Sequence, residues 1–308
     1  MKKYDITALG EALIDFFPLK GQTGPNGNAL YEANPGGAPA NLICVPAKYG
    51  MKTAFIGKVG TDPFGRLIID ELKRHGVDTS GILEDPSVFT SLAFVHPQPG
   101  GDRSFTFARK PGSDTMLRPD ELPRRILEST KVLHIGSLAL TDQPSRSAAA
   151  AAISIARKAG ALITFDANYR PGVWPDAKTA REQLLYGIKE ADVAKLTKEE
   201  LAFLGVTPMD LLHSYSSHFI LITMGSQGCL YVGRDGEGFV QGVKEDNPAD
   251  TTGAGDIFFG AALFKLVEIG KPLVDLTHTQ LEQILHFANE KAAASVLKYG
   301  GIPSIPDL

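Results

Sequence analysis

The chain has little cysteine, no long apolar run and no block of one charge sign, and each absence removes a class of protein. Two cysteines in 308 residues, Cys44 and Cys229, cannot build a disulfide framework or a Cys-x-x-Cys pair. Each lies in an apolar stretch, so both read as buried free thiols of a reducing compartment. No run reaches the roughly 18 apolar residues that a membrane helix needs; the alanine cluster at 148–152 is short and runs on to Arg157 and Lys158. Met1-Lys2-Lys3 leads straight into a strand-like run with no apolar signal core, which makes the cytoplasm the expected location. A net charge of −4 without a basic run gives no footprint for nucleic acid or for a membrane surface. The seven histidines form no His-x-x-x-His pair, so a zinc site is not expected. There is no Gly-x-x-x-x-Gly-Lys-Ser/Thr, no Gly-x-Gly-x-x-Gly after the first strand and no Gly-x-Ser-x-Gly elbow.

What is present is an alternation of short apolar runs with helical stretches. A strand is expected at residues 4–9, ending at Gly10. Residues 18–35 are rich in Gly, Pro and Asn and read as a loop or flap. Gly36-Gly37-Ala38-Pro39-Ala40-Asn41 opens a helix that stops near Gly50, and 53–59 is a strand. Asp62-Pro63 is an N-cap followed by proline at the first helical position. Two alternating runs, 90–96 and 103–109, flank Pro97-Gln98-Pro99-Gly100-Gly101-Asp102, a β-hairpin signal. From Lys131 on, strands at 131–136, 162–167, 192–196 and 218–224 alternate with helices at 145–159, 176–190 and 198–204. A hairpin at 229–243 and two long helices, 254–269 and about 280–297, complete the chain. The pattern predicts an α/β fold: one open, mostly parallel sheet with helices on both faces over residues 1–308, and a small β-lid from about 16–35 and 88–112.

In such sheets ligands sit beyond the carboxyl ends of the strands. The strongest signal there is Asp250-Thr251-Thr252-Gly253-Ala254-Gly255-Asp256, followed by the apolar run Ile257-Phe258-Phe259-Gly260. It reads as a glycine turn opening into a buried helix, whose N–H groups and dipole favour an anion. The plainer reading makes Thr252 an N-cap and Asp256 a first-turn acid. That reading leaves two glycines unexplained, since each costs a helix about 1 kcal/mol relative to alanine. A ligand approaching the backbone closely accounts for both. An anion site with a carboxylate beside it suggests phosphate chemistry with a general base.

Thr251–Asp256 resembles the C-terminal signature of the ribokinase/PfkB family of carbohydrate kinases. Gly36–Asn41, with Gly57-Lys58-Val59-Gly60-Thr61-Asp62-Pro63-Phe64-Gly65, resembles its N-terminal signature. Gly10-Glu11-Ala12-Leu13-Ile14-Asp15-Phe16, Phe107–Asp114, His134–Leu138 and Asp166-Ala167-Asn168-Tyr169-Arg170 are most similar to the fructokinases. The resemblance implies a ribokinase-like fold and a kinase that moves the γ-phosphoryl group of ATP to a sugar hydroxyl with Mg2+. It makes Asp256 the base and the Gly253, Ala254 and Gly255 amides the anion hole. Asp15, Gly36, Gly37 and Asn41 would bind the sugar, with Arg109 and Arg170 as clamps on hydroxyls or phosphate. The nucleotide is expected at Lys195, Thr223, Gly225, Ser226, Gly228 and Asn289. Glu200 matches the acidic end of an Asn-x-x-Glu motif linked to Mg2+ through water, with Thr197 in the Asn position. A monovalent cation such as K+ would use the backbone of Asp250, Thr252, Ser295, Lys298 and Gly300, with Ser304. Dimerisation through the lid is also implied.

Within the class, 2-keto-3-deoxygluconate kinase, ribokinase and nucleoside kinase remain alternatives to fructokinase. Outside it stand a catalytically silent sugar-binding regulator and, without a dinucleotide fingerprint, a nicotinamide-dependent oxidoreductase.

Overall fold

The structure is a computed structural model that describes residues 2–97, 103–214, 218–233 and 236–308. Its first half alternates strands β1 (Tyr4–Leu9), β2 (Leu13–Thr23), β3 (Ala29–Gly36), β4 (Thr53–Gly60), β5 (Val77–Asp85), β6 (Leu92–Pro97) and β7 (Arg103–Ala108) with helices α1 (Ala38–Lys48) and α2 (Pro63–Arg74). The second half holds β8 (Thr130–Gly136), β9 (Leu162–Asp166), β10 (Val193–Thr197), β11 (Phe219–Thr223), β12 (Gly228–Gly233) and β13 (Gly236–Gln241). Its helices are α3 (Arg124–Glu128), α4 (Ser145–Lys158), α5 (Ala177–Glu190), α6 (Lys198–Leu204), α7 (Pro208–Ser214), α8 (Ala254–Ile269) and α9 (His278–Ser295).

Nine strands form one sheet in the order β13-β12-β11-β10-β9-β8-β1-β4-β5. It is parallel from β11 to β5, and β12 and β13 join its edge antiparallel. Side chains alternate between its faces as strand geometry requires. On β11, Phe219 and Leu221 enter one core with α1, α8 and α9, while Ile220 and Ile222 enter a second core with α4 and α5. This is the open α/β sheet with helices on both faces that the sequence pattern predicts. The helix starts follow local chemistry. Asp62 accepts from the Phe64 and Gly65 amides at the start of α2, and Asp176 accepts from the Thr179 amide at the start of α5. Helix α8 is apolar all round from Ile257 to Phe264, where it is wedged between α1, α9 and the sheet. Gly260 permits this: a Cβ there would lie 2.6 Å from the Leu42 carbonyl of α1.

The second sheet is the small β-lid that the sequence pattern predicts, with one correction. Residues 18–35 are not a loop but most of β2 and β3, which pair antiparallel and continue into β6 and β7 in the order β3-β2-β6-β7. Pro18 and Pro35 concealed them. Pro35 is on an edge strand, and Pro18 lies beyond Phe16, the last β2 residue paired with β6, so neither must donate into a two-sided ladder. Strand β5 and helix α7 also went unassigned by the sequence pattern. The hairpin signal at 97–102 falls largely outside the described residues; its flanking strands β6 and β7 do pair antiparallel.

Candidate active site

The glycine turn at the start of α8 divides two cavities. Gly253 caps the helix in the left-handed region (φ 75°), and no side chain caps the helix. Thr252, the alternative cap, instead donates its hydroxyl and its amide to Asp250 Oδ1 at 2.8 and 3.0 Å. Ala254 N–H makes a 3.3 Å turn bond to the Thr251 carbonyl. The Gly253 and Gly255 amides have no partner among the described residues. Uncapped N–H groups at a helix N-terminus are the physical requirement for an anion hole.

On one side of the turn is a small cavity of about 60 Å³. Asp15 reaches it from β2, Gly37 and Asn41 from the start of α1, Asn168 and Arg170 from the loop after β9, and Gly253 and Asp256 from α8; Phe105 and Phe107 of β7 cover it. Asp256 is 8% exposed. Its Oδ2 accepts from Asn41 Nδ2 at 2.8 Å and its Oδ1 from Asn168 Nδ2 at 3.3 Å. Burial raises the Asp256 pKa above the ordinary carboxylate value, while Asn41, Lys195 and Arg170 pull it back, leaving it raised. The result is an oriented carboxylate of enhanced basicity. Two of the glycines give room at this end. A Cβ on Gly36 would collide with Asp15 Oδ2, and Gly37 (φ 103°) would place one 2.5 Å from the Glu11 carbonyl.

On the other side is a cavity of about 430 Å³, open to solvent and lined by Lys195, Thr223, Gly225, Ser226, Gly228, Ala254, Gly255 and Asn289 together with Val243, Phe258 and Val296. Lys195 stands at its inner end. A Cβ on Gly255 would lie 3.2 Å from its ammonium. The ammonium donates to both oxygens of Asp166, at 3.1 and 3.0 Å. Burial works against the Lys195 charge, but Asp166, Glu200 and Asp256 outweigh it and hold the ammonium above its ordinary pKa. Burial in turn raises the pKa of Asp166 and Glu200. Asn289 is partly committed to structure: its Nδ2 donates to the Val240 and Gln241 carbonyls at 3.3 and 3.1 Å, fixing the end of β13 against α9.

Two expected site residues sit elsewhere. Arg109 is not a clamp on a substrate. It is 4% exposed, and its guanidinium is committed to Asp114 (Nε at 2.8 Å), the Thr141 hydroxyl (2.8 Å) and the Leu138 carbonyl (2.9 Å). It holds the segment carrying Leu138 against the cavity from behind. Arg170 does line the cavity, with its guanidinium 5.4 Å from the Phe105 ring centre. Glu200 is in the lining of neither cavity. Its Oε1 accepts from the Tyr169 amide at 2.6 Å and its Oε2 from the Thr197 amide at 2.7 Å, a capping box at the start of α6. Thr197 therefore has a helix-cap role of its own.

No cluster of three or more metal-ligating side chains occurs among the described residues. A divalent cation here would rest mainly on phosphate oxygens and water, as Mg2+ does at one or two carboxylates. The surroundings suit one: a single buried ammonium, Lys195, faces three carboxylates, and an added polyphosphate needs further positive charge. Glu200 keeps free lone pairs for a cation's water. The loops expected to hold a monovalent cation do converge. Gly300 N–H donates to Asp250 Oδ2 at 2.8 Å, and Asp250 N–H to the Val296 carbonyl at 3.1 Å. The Ser295 and Ser304 hydroxyls bond the Ala292 and Gly301 carbonyls, and Lys298 contributes backbone to the same loop.

Site residues left without a role in the sequence reading are Asn168, Asp166 and Glu11. Asn168 carried a signal: an Asx residue directly after a strand, here at φ 29°, where few non-glycine residues sit.

Comparison with known proteins agrees with this geometry. The pfkB family carbohydrate kinase profile matches residues 3–308. The chain is 39% identical over 308 residues to probable fructokinase-3 of Arabidopsis thaliana, covering 98% of this chain and 88% of that protein. Among solved structures, it superposes on fructokinase with bound ATP from Xylella fastidiosa with a TM-score of 0.91, 29% identity and coverage of 100% and 96% of the two chains. A double mutant of the Vibrio cholerae O395 fructokinase, in a fructose, ADP and potassium ion bound form, gives a TM-score of 0.87, 30% identity and coverage of 100% and 97%. With its glycine turn, buried carboxylate and paired cavities, this chain belongs to the pfkB family of carbohydrate kinases.

Proposed function

We propose that the protein is an ATP-dependent fructokinase, forming fructose 6-phosphate and ADP from D-fructose. One observation carries the reading. Asp256 and Gly253 line the small polar cavity, while Ala254 and Gly255, one turn of the same helix, line the large one. An acceptor in the first and a triphosphate in the second would meet at this turn.

In this mechanism Asp15, the Gly37 amide, Asn41 and Arg170 hold the sugar with its reacting hydroxyl toward Asp256. Asp256 accepts that proton as the hydroxyl oxygen bonds to the γ-phosphorus. The bond from phosphorus to the β,γ-bridging oxygen breaks, and its electrons leave with ADP. The Gly253 and Gly255 amides take the charge that builds on the γ-phosphoryl oxygens, and Lys195 adds its ammonium from the nucleotide side. Ala254 contributes mainly through its place in the turn. Asn41 and Asn168 hold the base in register. When bound, Mg2+ would neutralise phosphate charge, with Glu200 holding one of its waters.

The small sheet acts as a lid on this one catalytic unit, since Leu13 and Asp15 of β2 and Phe105 and Phe107 of β7 close the sugar cavity. Exposed Leu30 (38%) and Tyr31 (47%) on β3, the edge strand of the lid, favour a homodimer formed through the lid. Two buried free thiols fit a cytoplasmic setting. K+ at the 250–252 and 295–304 loops would tie the anion hole to α9. A panel of sugars with ATP tests the reading: turnover of D-fructose is expected, and robust turnover of another sugar without fructose would sink it.

A further inference from the structure

Of the polar side chains lining the small cavity, the proposed mechanism leaves Glu11 and Thr252 unused, and Thr252 is turned to Asp250. Glu11 is 3% exposed, directly after β1 and Gly10. Its Oε1 accepts from the Ala38 amide at 3.1 Å, the first amide of α1, where Gly37 offers no side-chain cap. A helix cap needs only that oxygen. The second, Oε2, is buried and has no hydrogen-bond partner. It lies 3.2 Å from where a Cβ on Gly136 would stand, and Pro39 packs against the same point, so no side chain at 136 reaches it. A buried oxygen without a partner costs stability unless a ligand supplies one.

We propose that Glu11 contacts the bound sugar through Oε2, donating a hydrogen bond from a protonated carboxyl to a sugar oxygen. This rests on the reading of the small cavity as the acceptor site. The cavity is rich in acceptors: Asp15, Asp256 and the unpartnered Asn41 Oδ1 can each accept a hydrogen bond from a sugar hydroxyl. Donors are fewer, and a ring oxygen has no proton to give. A neutral acid beside two carboxylates supplies a donor without adding a third negative charge. Its surroundings favour that form. Burial pushes the Glu11 pKa up to about 8 against the pull of its own amide, Arg109 and the Ala38 amide, with Asp114 adding to the rise. Asp15, Asp256 and Arg170 are the charged groups across the cavity.

The sign follows. The protonated form binds sugar, so kcat/KM for the sugar should fall as pH rises through about 8. The test measures kcat/KM for the sugar and KM for ATP from pH 6 to 9.5 in wild type, Glu11→Gln and Glu11→Leu. Wild type should lose sugar kcat/KM on the alkaline side with a steady ATP KM. Glu11→Gln, whose amide keeps a donor and cannot ionise, should lose about 3-fold at pH 7 and have no Glu11-dependent alkaline fall. Glu11→Leu should raise sugar KM about 3- to 10-fold, the worth of one neutral hydrogen bond. An alkaline fall retained by Glu11→Gln, a flat wild-type profile, or an unchanged sugar KM in Glu11→Leu overturns the assignment. If wild type turns over no sugar, the acceptor-site reading fails and takes this proposal with it; turnover with any of those three results sinks Glu11 alone.

Discussion

The two cavities flanking the glycine turn are built from different materials. The small one sets polar groups that hold one another, Asn41 and Asn168 gripping Asp256 and the Ala38 amide donating to Glu11, beneath the rings of Phe105 and Phe107. The large one is walled by glycines, small residues and apolar groups such as Val243, Phe258 and Val296. A sugar is distinguished by the directions of its hydroxyls, which requires fixed side-chain donors and acceptors. A nucleotide needs backbone close to phosphate and an apolar slot for a base, which glycine turns and aliphatic walls supply. On this comparison, single side-chain changes should injure the sugar side far more than the nucleotide side.

The largest effect is expected at the border. Asp256→Asn should lose on the order of 10²–10⁴ in kcat, the range for a general base, while equilibrium sugar binding is mostly kept. Steady-state rates with a separate binding titration check this; a rate within a factor of two of wild type would remove Asp256 from the role of base. Asp15→Ala comes next. Hydrogen bonds to a charged group are worth about 1.5–3 kcal/mol, so sugar KM should rise about 10- to 100-fold with little change in ATP KM. Equal damage to both constants would erase the division between the cavities. Asn168→Ala should lower kcat about 10-fold by freeing one oxygen of the base, with sugar KM nearly constant; a pure KM effect would make Asn168 a sugar ligand instead. The smallest is Asn289→Ala. ATP KM should move no more than about 3-fold, and thermal stability should fall by about 1 kcal/mol as the bonds to Val240 and Gln241 are lost. A tenfold rise in ATP KM would show that the nucleotide side, too, depends on a side chain.

Much of this was legible in the chain itself. The parallel strands from β8 to β11 announce themselves as short buried runs between helical stretches, and the long helices α8 and α9 fall close to where the pattern puts them. The lid was only half legible. Strands β6 and β7 alternate, but β3 is exposed over its first four residues and β2 carries Pro18, so neither presents the apolar alternation that marks a strand. The site was legible where a backbone shape was required, at Gly36-Gly37 and at Gly253–Asp256. It was not legible where pairing decides the role. Arg109 and Arg170 look equivalent in sequence, yet Asp114 and Thr141 consume one while the other stands over Phe105 at the cavity.

The sequence alone determined the alternation of strands and helices from β8 onward, the glycine turn, the acid beside it and the family. These are local matters: glycine's freedom, helix caps and apolar periodicity act over a few residues. Only the tertiary structure decided that Asn41, 215 residues from Asp256, and Asn168, 88 residues away, would hold that acid between them. The same is true of the buried oxygen of Glu11 and of the withdrawal of Arg109 behind the wall. Burial and pairing depend on which distant groups share a space, and that is fixed by how the sheet stacks its strands rather than by what stands next in the chain.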